Sequence, residues 1–125
     1  MKKYNPGVGP IATEWLATSE QDRFEMVIAY HRRRHISMPN HRLHAAIHVV
    51  VENQVALGEA VVVEALARLR NEGLDRHEAI HAIGMVLGEH LYDVLKTGGD
   101  PTPELHAPYF ERLKHFSAED WRRSS

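Results

Sequence analysis

The sequence predicts an all-α protein, a single domain folded as a bundle of about four to five helices. Apolar residues recur at helical steps through four stretches, three of them open on a capping residue, three stop at glycine, and none reads as a strand. Three pairs of histidines four residues apart add a second signal, because that spacing stacks side chains on one helix face.

Composition sets the frame for these helices. A chain of 125 residues, 43% hydrophobic and 26% charged, is expected to close around one core and leave no second one. Its net charge of -2 provides no basic footprint for nucleic acid. The amino terminus carries Lys2 and Lys3 but continues into Pro6 and Gly7, so it reads neither as a signal peptide nor as an anchor. No run of 18 apolar residues occurs, and a cytoplasmic protein with no nucleic-acid or membrane partner is the expectation. A second copy of the chain or a protein partner stays open. Cysteine is absent, which leaves His, Asp and Glu as the available metal ligands. The 10 histidines titrate near pH 6.5, so charge and stability should respond to mild acid.

Residues 1–12 form an irregular lead with Pro6, Gly7, Gly9 and Pro10, and any order there must come from packing. The helical core spans 13–96. Thr13 can cap a short turn bearing Trp15 and Leu16, and Ser19 with Asp22 opens the first full helix. Its stripe of Phe24, Val27 and Ile28 continues into His31, with His35 one turn on and Arg32, Arg33 and Arg34 suited to the negative end of the dipole. Pro39 closes the connection and Asn40 caps the next helix. This helix should run to Gly58 with Leu43, Ile47, Val50 and Leu57 inward, and with His44, His48 and Glu52 along the edge of that stripe. His41 lies beside them and Gln54 near the middle.

A third helix, Glu59 to Asn71, turns Val62, Val63, Leu66 and Leu69 inward, and Gly73 ends it. Asp75 and Glu78 make a capping pair for the fourth, which should reach about Lys96 and stop at Gly98. Its core positions are Ile80, Ile83, Leu87, Leu91 and Val94. Gly84 and Gly88, one turn apart beside His77 and His81, leave a strip where another helix can approach closely. The tail, 100–125, begins with a turn in which Thr102 caps and Pro103 takes a first helical position. An amphipathic piece with Tyr109, Phe110, Leu113 and Phe116 follows, then a last turn either docked by Trp121 or frayed.

Short connections imply antiparallel neighbours, so the helices starting at Asn40 and Asp75 should run parallel. His44 and His77 then lie about 6 Å and about 3 Å above the same end of the bundle. His31, His44, His48, His77 and His81 gather there in one layer, with Glu52 beside them. Composition alone provides about one histidine pair at this spacing, against the three present. Imidazoles from facing helices joined by a carboxylate are how bundles hold zinc or iron, so one or two divalent metals on these six residues is the leading reading. The remaining histidines, His35, His41, His90, His106 and His115, read as structural.

Two rivals need no such site. The same histidines can form a metal-free hydrogen-bond network that fixes helix register in an interaction domain, or act as an acid sensor. His77, Glu78 and His81 also fit H-E-x-x-H, the zinc hydrolase pattern, but Leu87 stands where its longer form needs a third histidine and Glu78 is already explained as a cap partner. If the protein is an enzyme, metal-activated water or oxygen chemistry is the expected class, since no serine or cysteine nucleophile is set beside a base. The sequence names no reaction.

Leu43-His44, Ile47-His48, Glu52-Asn53-Gln54, Arg76-His77-Glu78-Ala79-Ile80-His81 and Leu87-Gly88-Glu89 together resemble an uncharacterised family of small His-rich bacterial helical domains, a domain of unknown function. The similarity extends back to Trp15-Leu16-Ala17 and Tyr30-His31-Arg32-Arg33 and so covers about residues 13–96. It implies a bacterial cytoplasmic protein and brings no activity, substrate or cofactor. His31, His44, His48, Glu52, His77, Glu78 and His81 are the positions argued above that fall on the family's pattern.

Overall fold

A computed structural model describes residues 3–33, 41–98 and 103–124. Seven α-helices occur among the described residues, with no strand: α1 (Ala12–Ala17), α2 (Glu20–Arg33), α3 (His41–Ala56), α4 (Ala60–Asn71), α5 (Arg76–Thr97), α6 (Ala107–His115) and α7 (Ala118–Ser124). A 3-10 turn, Pro103–His106, leads into α6. The fold is all-α as expected, but with more helices than four to five, because both ends of the chain form short helices of their own. His35, Pro39, the Asn40 cap and the Thr102 cap lie outside the described residues.

Local chemistry accounts for most boundaries. The amide of Asp22 donates to Ser19 Oγ at the start of α2, and that of Glu78 donates to Asp75 Oδ1 at the start of α5. Gly98 ends α5 in the left-handed conformation at φ 68°. Ser117 and Asp120 cap each other reciprocally to open α7. The Thr13 cap does not form: α1 begins at Ala12, with Ile11 before it and no side-chain cap.

Direction along the bundle differs from the expectation. The chain turns through 104° between α3 and α4 instead of doubling back. A second turn then delivers α5 across α3 in an antiparallel sense: His44 meets His81, His48 meets His77, and Glu52 meets Arg76. A corner followed by a turn reverses the chain where two hairpins would have restored its direction. Among the described residues no single helix is long and apolar enough to cross a membrane.

Buried apolar residues fall into two clusters where one core was expected. Tyr4, Trp15, Val27, Ile28, Tyr30, Ala45 and Val49 form the amino-terminal one. The larger one joins α4, α5 and α6 through residues such as Val62, Leu69, Ile83, Leu87 and Leu113. Polar residues of α3 sit between them, and this corrects the predicted inward face of that helix. Leu43 and Leu57 are exposed by 54% and 71%, and Val50 is exposed too, while His48 and Glu52 are buried. The helix is rotated because Glu52 finds a cation, Arg76, that the apolar pattern does not reveal. Val63 of α4 likewise faces out, with Ala65 taking the inner place.

Gly84 performs the packing role read from the sequence. A Cβ there would lie 2.9 Å from Cγ2 of Ile47, so α3 and α5 approach through this glycine. The irregular lead is also held by packing. Tyr4 and Pro6 are buried, and Arg76 Nη1 donates to the Pro6 carbonyl at 2.9 Å. Gly9, at φ 85°, lies against the Arg76 guanidinium.

Candidate metal centre

Three helices and the lead build the centre. On α2 the apolar step from Val27 places His31 in the interior, where its Nδ1 is 2.8 Å from the Val27 carbonyl. A carbonyl only accepts, so Nδ1 carries the proton and Nε2 is left with its lone pair. On α3, His44 and His48 stack one turn apart with ring centroids at 4.8 Å. On α5, His77 and His81 do the same at 4.3 Å.

The tautomer of His48 follows from its neighbours. Tyr4 donates its hydroxyl proton to Glu52 Oε2 at 2.6 Å, and the same hydroxyl lies 3.0 Å from His48 Nδ1. Having given its proton away, the hydroxyl accepts from His48 Nδ1–H, which leaves a lone pair on Nε2. Buried Nε2 atoms of His31 and His48 have no hydrogen-bond partner among the described residues. Each is therefore a buried acceptor with nothing to accept from, which is costly in a folded interior.

These two residues belong to a group of four. His31, His44, His48 and His81 each bring one potential ligand atom, all within 4.8 Å of one another. His31 and His48 are buried, while His44 and His81 are partly exposed at the edge. His31 lies 4.8 Å from His44 and 5.3 Å from His48 between centroids, and His81 lies 4.8 Å from each of His44 and His48. Tyr30 covers the group with edge contacts to His31 and His77.

Electrostatics keep His48 and His81 neutral. Burial, reinforced by the neighbouring histidines His81, His44, His31 and His77, pushes His48 far below the usual imidazole range. Burial likewise lowers His81 to about 3, with His77 and His44 next in effect. A neutral imidazole is the form that binds metal.

The other predicted residues are placed differently. His77 lies outside the group of four, but its Nε2 is 3.1 Å from Nε2 of His81. Glu52 does not point a free oxygen at the histidines. Both its oxygens take a bidentate Arg76, at 2.8 and 2.9 Å, and Oε2 also takes the Tyr4 hydroxyl. It reaches the centre only through Tyr4 and His48. Glu78 is exposed, and its amide donates to the Asp75 cap. His90 and His106 pair with each other at 3.2 Å, and exposed His115 pairs with Glu111. The side chain of His41 lies outside the described residues.

Sequence reading missed Tyr4 and the role of Arg76. Tyr4 sits in a lead without any period, and its only signal is an aromatic residue among prolines and glycines. Arg76, adjoining His77, carries no spacing relation to Glu52. Compared with models of known protein families, with curated proteins and with solved structures, the chain matches none of them.

Proposed function

We propose that this protein binds a divalent transition metal, zinc or iron, on His31, His44, His48 and His81, with His77 at hand as a fifth donor. The observation that carries this reading is the pair of buried Nε2 lone pairs on His31 and His48 within the four-histidine group. An all-imidazole set suits zinc and iron and disfavours magnesium and calcium. Tetrahedral zinc with bonds of about 2.0–2.1 Å needs nitrogens about 3.4 Å apart, so side-chain rotation must close the group from its present spread. Tyr4, held by Glu52, supports His48 as a carboxylate supports a ligating histidine in known centres. A bound zinc ion would supply Lewis acidity, and iron would add one-electron chemistry.

Elemental analysis of tag-free protein, purified without chelator and dialysed, tests the reading. About one equivalent of zinc or iron should be retained, and a folded His44→Ala/His81→Ala double variant should lose it. Less than about a tenth of an equivalent, with no thermal shift on adding zinc, iron or cobalt, would sink the proposal in favour of a metal-free network.

A further inference from the structure

A groove of about 340 Å³ opens against the exposed edge of the four histidines. His44 and His81 form part of its wall, and the rest is largely apolar: Ile47, Met85 and Trp121, over the bare backbone of Gly84 and Gly88. The groove exists because two glycines of α5 leave room above the α3 contact and because α7 brings Trp121 over the gap. Its volume lies at the small end of the range for small-molecule sites, about 300–1,000 Å³.

We infer that this groove binds a small monocarboxylate with an apolar body, its carboxylate taking, on the side of His44 and His81, the fifth position on the metal that His77 would otherwise fill, and its chain running along Gly84 and Gly88 toward Trp121. The inference rests on the metal reading above. The head group follows from charge. Four neutral imidazoles leave a divalent ion with its full charge in a sparsely solvated place, and Glu52, the nearest buried carboxylate, is already held by Arg76 and Tyr4. An anion entering from outside would offset part of that charge. The two partly exposed ligands mark the side from which it enters. The body follows from the lining, which offers a chain dispersion contacts. Glu89, which also lines the groove, is paired with Arg112 and so presents no free cation or anion to a polar body. A saturated chain of about six to eight carbons suits the volume.

Cobalt(II)-loaded full-length protein tests this with octanoate and acetate as probes. The visible cobalt spectrum, recorded before any carboxylate is added, reports the metal site by itself. Octanoate should then change both the cobalt bands and the fluorescence of Trp121, with half-saturation at least about tenfold below that of acetate, because each buried methylene adds affinity. Gly88→Leu fills the groove. It should keep the cobalt spectrum and weaken octanoate at least about tenfold while leaving acetate unchanged. Trp121→Ala, read through the cobalt bands, should weaken octanoate in the same direction and covers the case in which Gly88→Leu fails to fold. Normal cobalt binding with no preference for octanoate, or a preference that survives both variants, overturns the groove assignment and leaves the metal reading standing. Absence of cobalt binding at the first step overturns both.

Discussion

Two polar groups sit side by side in the interior between the apolar clusters, and they are finished to different degrees. In one, Tyr4, Glu52 and Arg76 satisfy one another: the carboxylate takes a bidentate guanidinium and a hydroxyl, and the guanidinium also serves the Pro6 carbonyl. In the other, four histidines converge with Nε2 of His31 and His48 lacking any donor among the described residues. Burial is similar, since Glu52 is 1% and His48 2% exposed. What separates them is hydrogen-bond accounting. A closed network stabilises one arrangement of the chain, whereas an open set of lone pairs stabilises whatever fills it.

The largest expected effect lies in the closed network. Arg76→Met should cost about 3–5 kcal/mol in urea unfolding, because Glu52 would be left charged and buried without its partner. Adding Glu52→Leu should recover much of that loss. If the single variant unfolds within about 1 kcal/mol of the parent, the network is not what organises α3 and α5.

Acid should strike the open group first. His48 and His81 are held neutral in the fold but take up protons near pH 6.5 when unfolded, so their contribution is complete above that pH. As pH falls below 6.5 the unfolded chain binds more protons and stability declines, until the folded state itself protonates, near 3 for His81. Two such groups give a loss of about 2–3 kcal/mol between pH 7.5 and 5.5 in metal-free protein. An unfolding midpoint flat over that range would show that the histidines are not held neutral. Saturating zinc, at about a hundred times its Kd, should add about 2.7 kcal/mol at pH 7.5 and lose that increment in acid as protons displace it.

These expectations also mark where the sequence was legible. Ser19, Asp75 and Gly98 announced the ends of α2 and α5 because capping is local chemistry, readable from residues three or four apart. The stacking of His44 on His48 and of His77 on His81 was readable for the same reason, each pair being fixed by one helical turn. The face that α3 buries was not. Glu52 is inward because of Arg76 and Tyr4, which are 24 and 48 positions away, and a stripe read for hydrophobicity had to prefer Leu43, Val50 and Leu57. The route of the chain was hidden too, since no residue between α3 and α4 distinguishes a corner from a hairpin. That the histidines met regardless follows from their place near a helix crossing, which tolerates either direction.

Gly84 tests how closely the spacing of the open group depends on that crossing. In Gly84→Ala the added methyl meets Ile47 at 2.9 Å, and overpacking should outweigh the gain in helix propensity, for a net loss of about 1–2 kcal/mol. The matching Gly88→Ala, where the contact would be an ordinary 3.5 Å, should be neutral or slightly stabilising. Because Gly84 sets the approach of α3 to α5, its variant should also weaken zinc retention, whereas Gly88→Ala should not.

Tyr4→Phe divides the two groups at the atom they share. The ring stays buried against Trp15 and Tyr30, so packing is kept and only the hydroxyl is lost. Glu52 retains both guanidinium bonds, and the stability cost should be small, about 1 kcal/mol. His48 loses more, since its Nδ1–H then has no acceptor and nothing selects the tautomer that presents Nε2 to the other histidines. Zinc affinity, measured by chelator competition, should therefore fall about 10–100-fold while the fold barely changes. A large stability loss with unaltered affinity would place Tyr4 in the closed network alone, and the two groups would then be neighbours without being coupled.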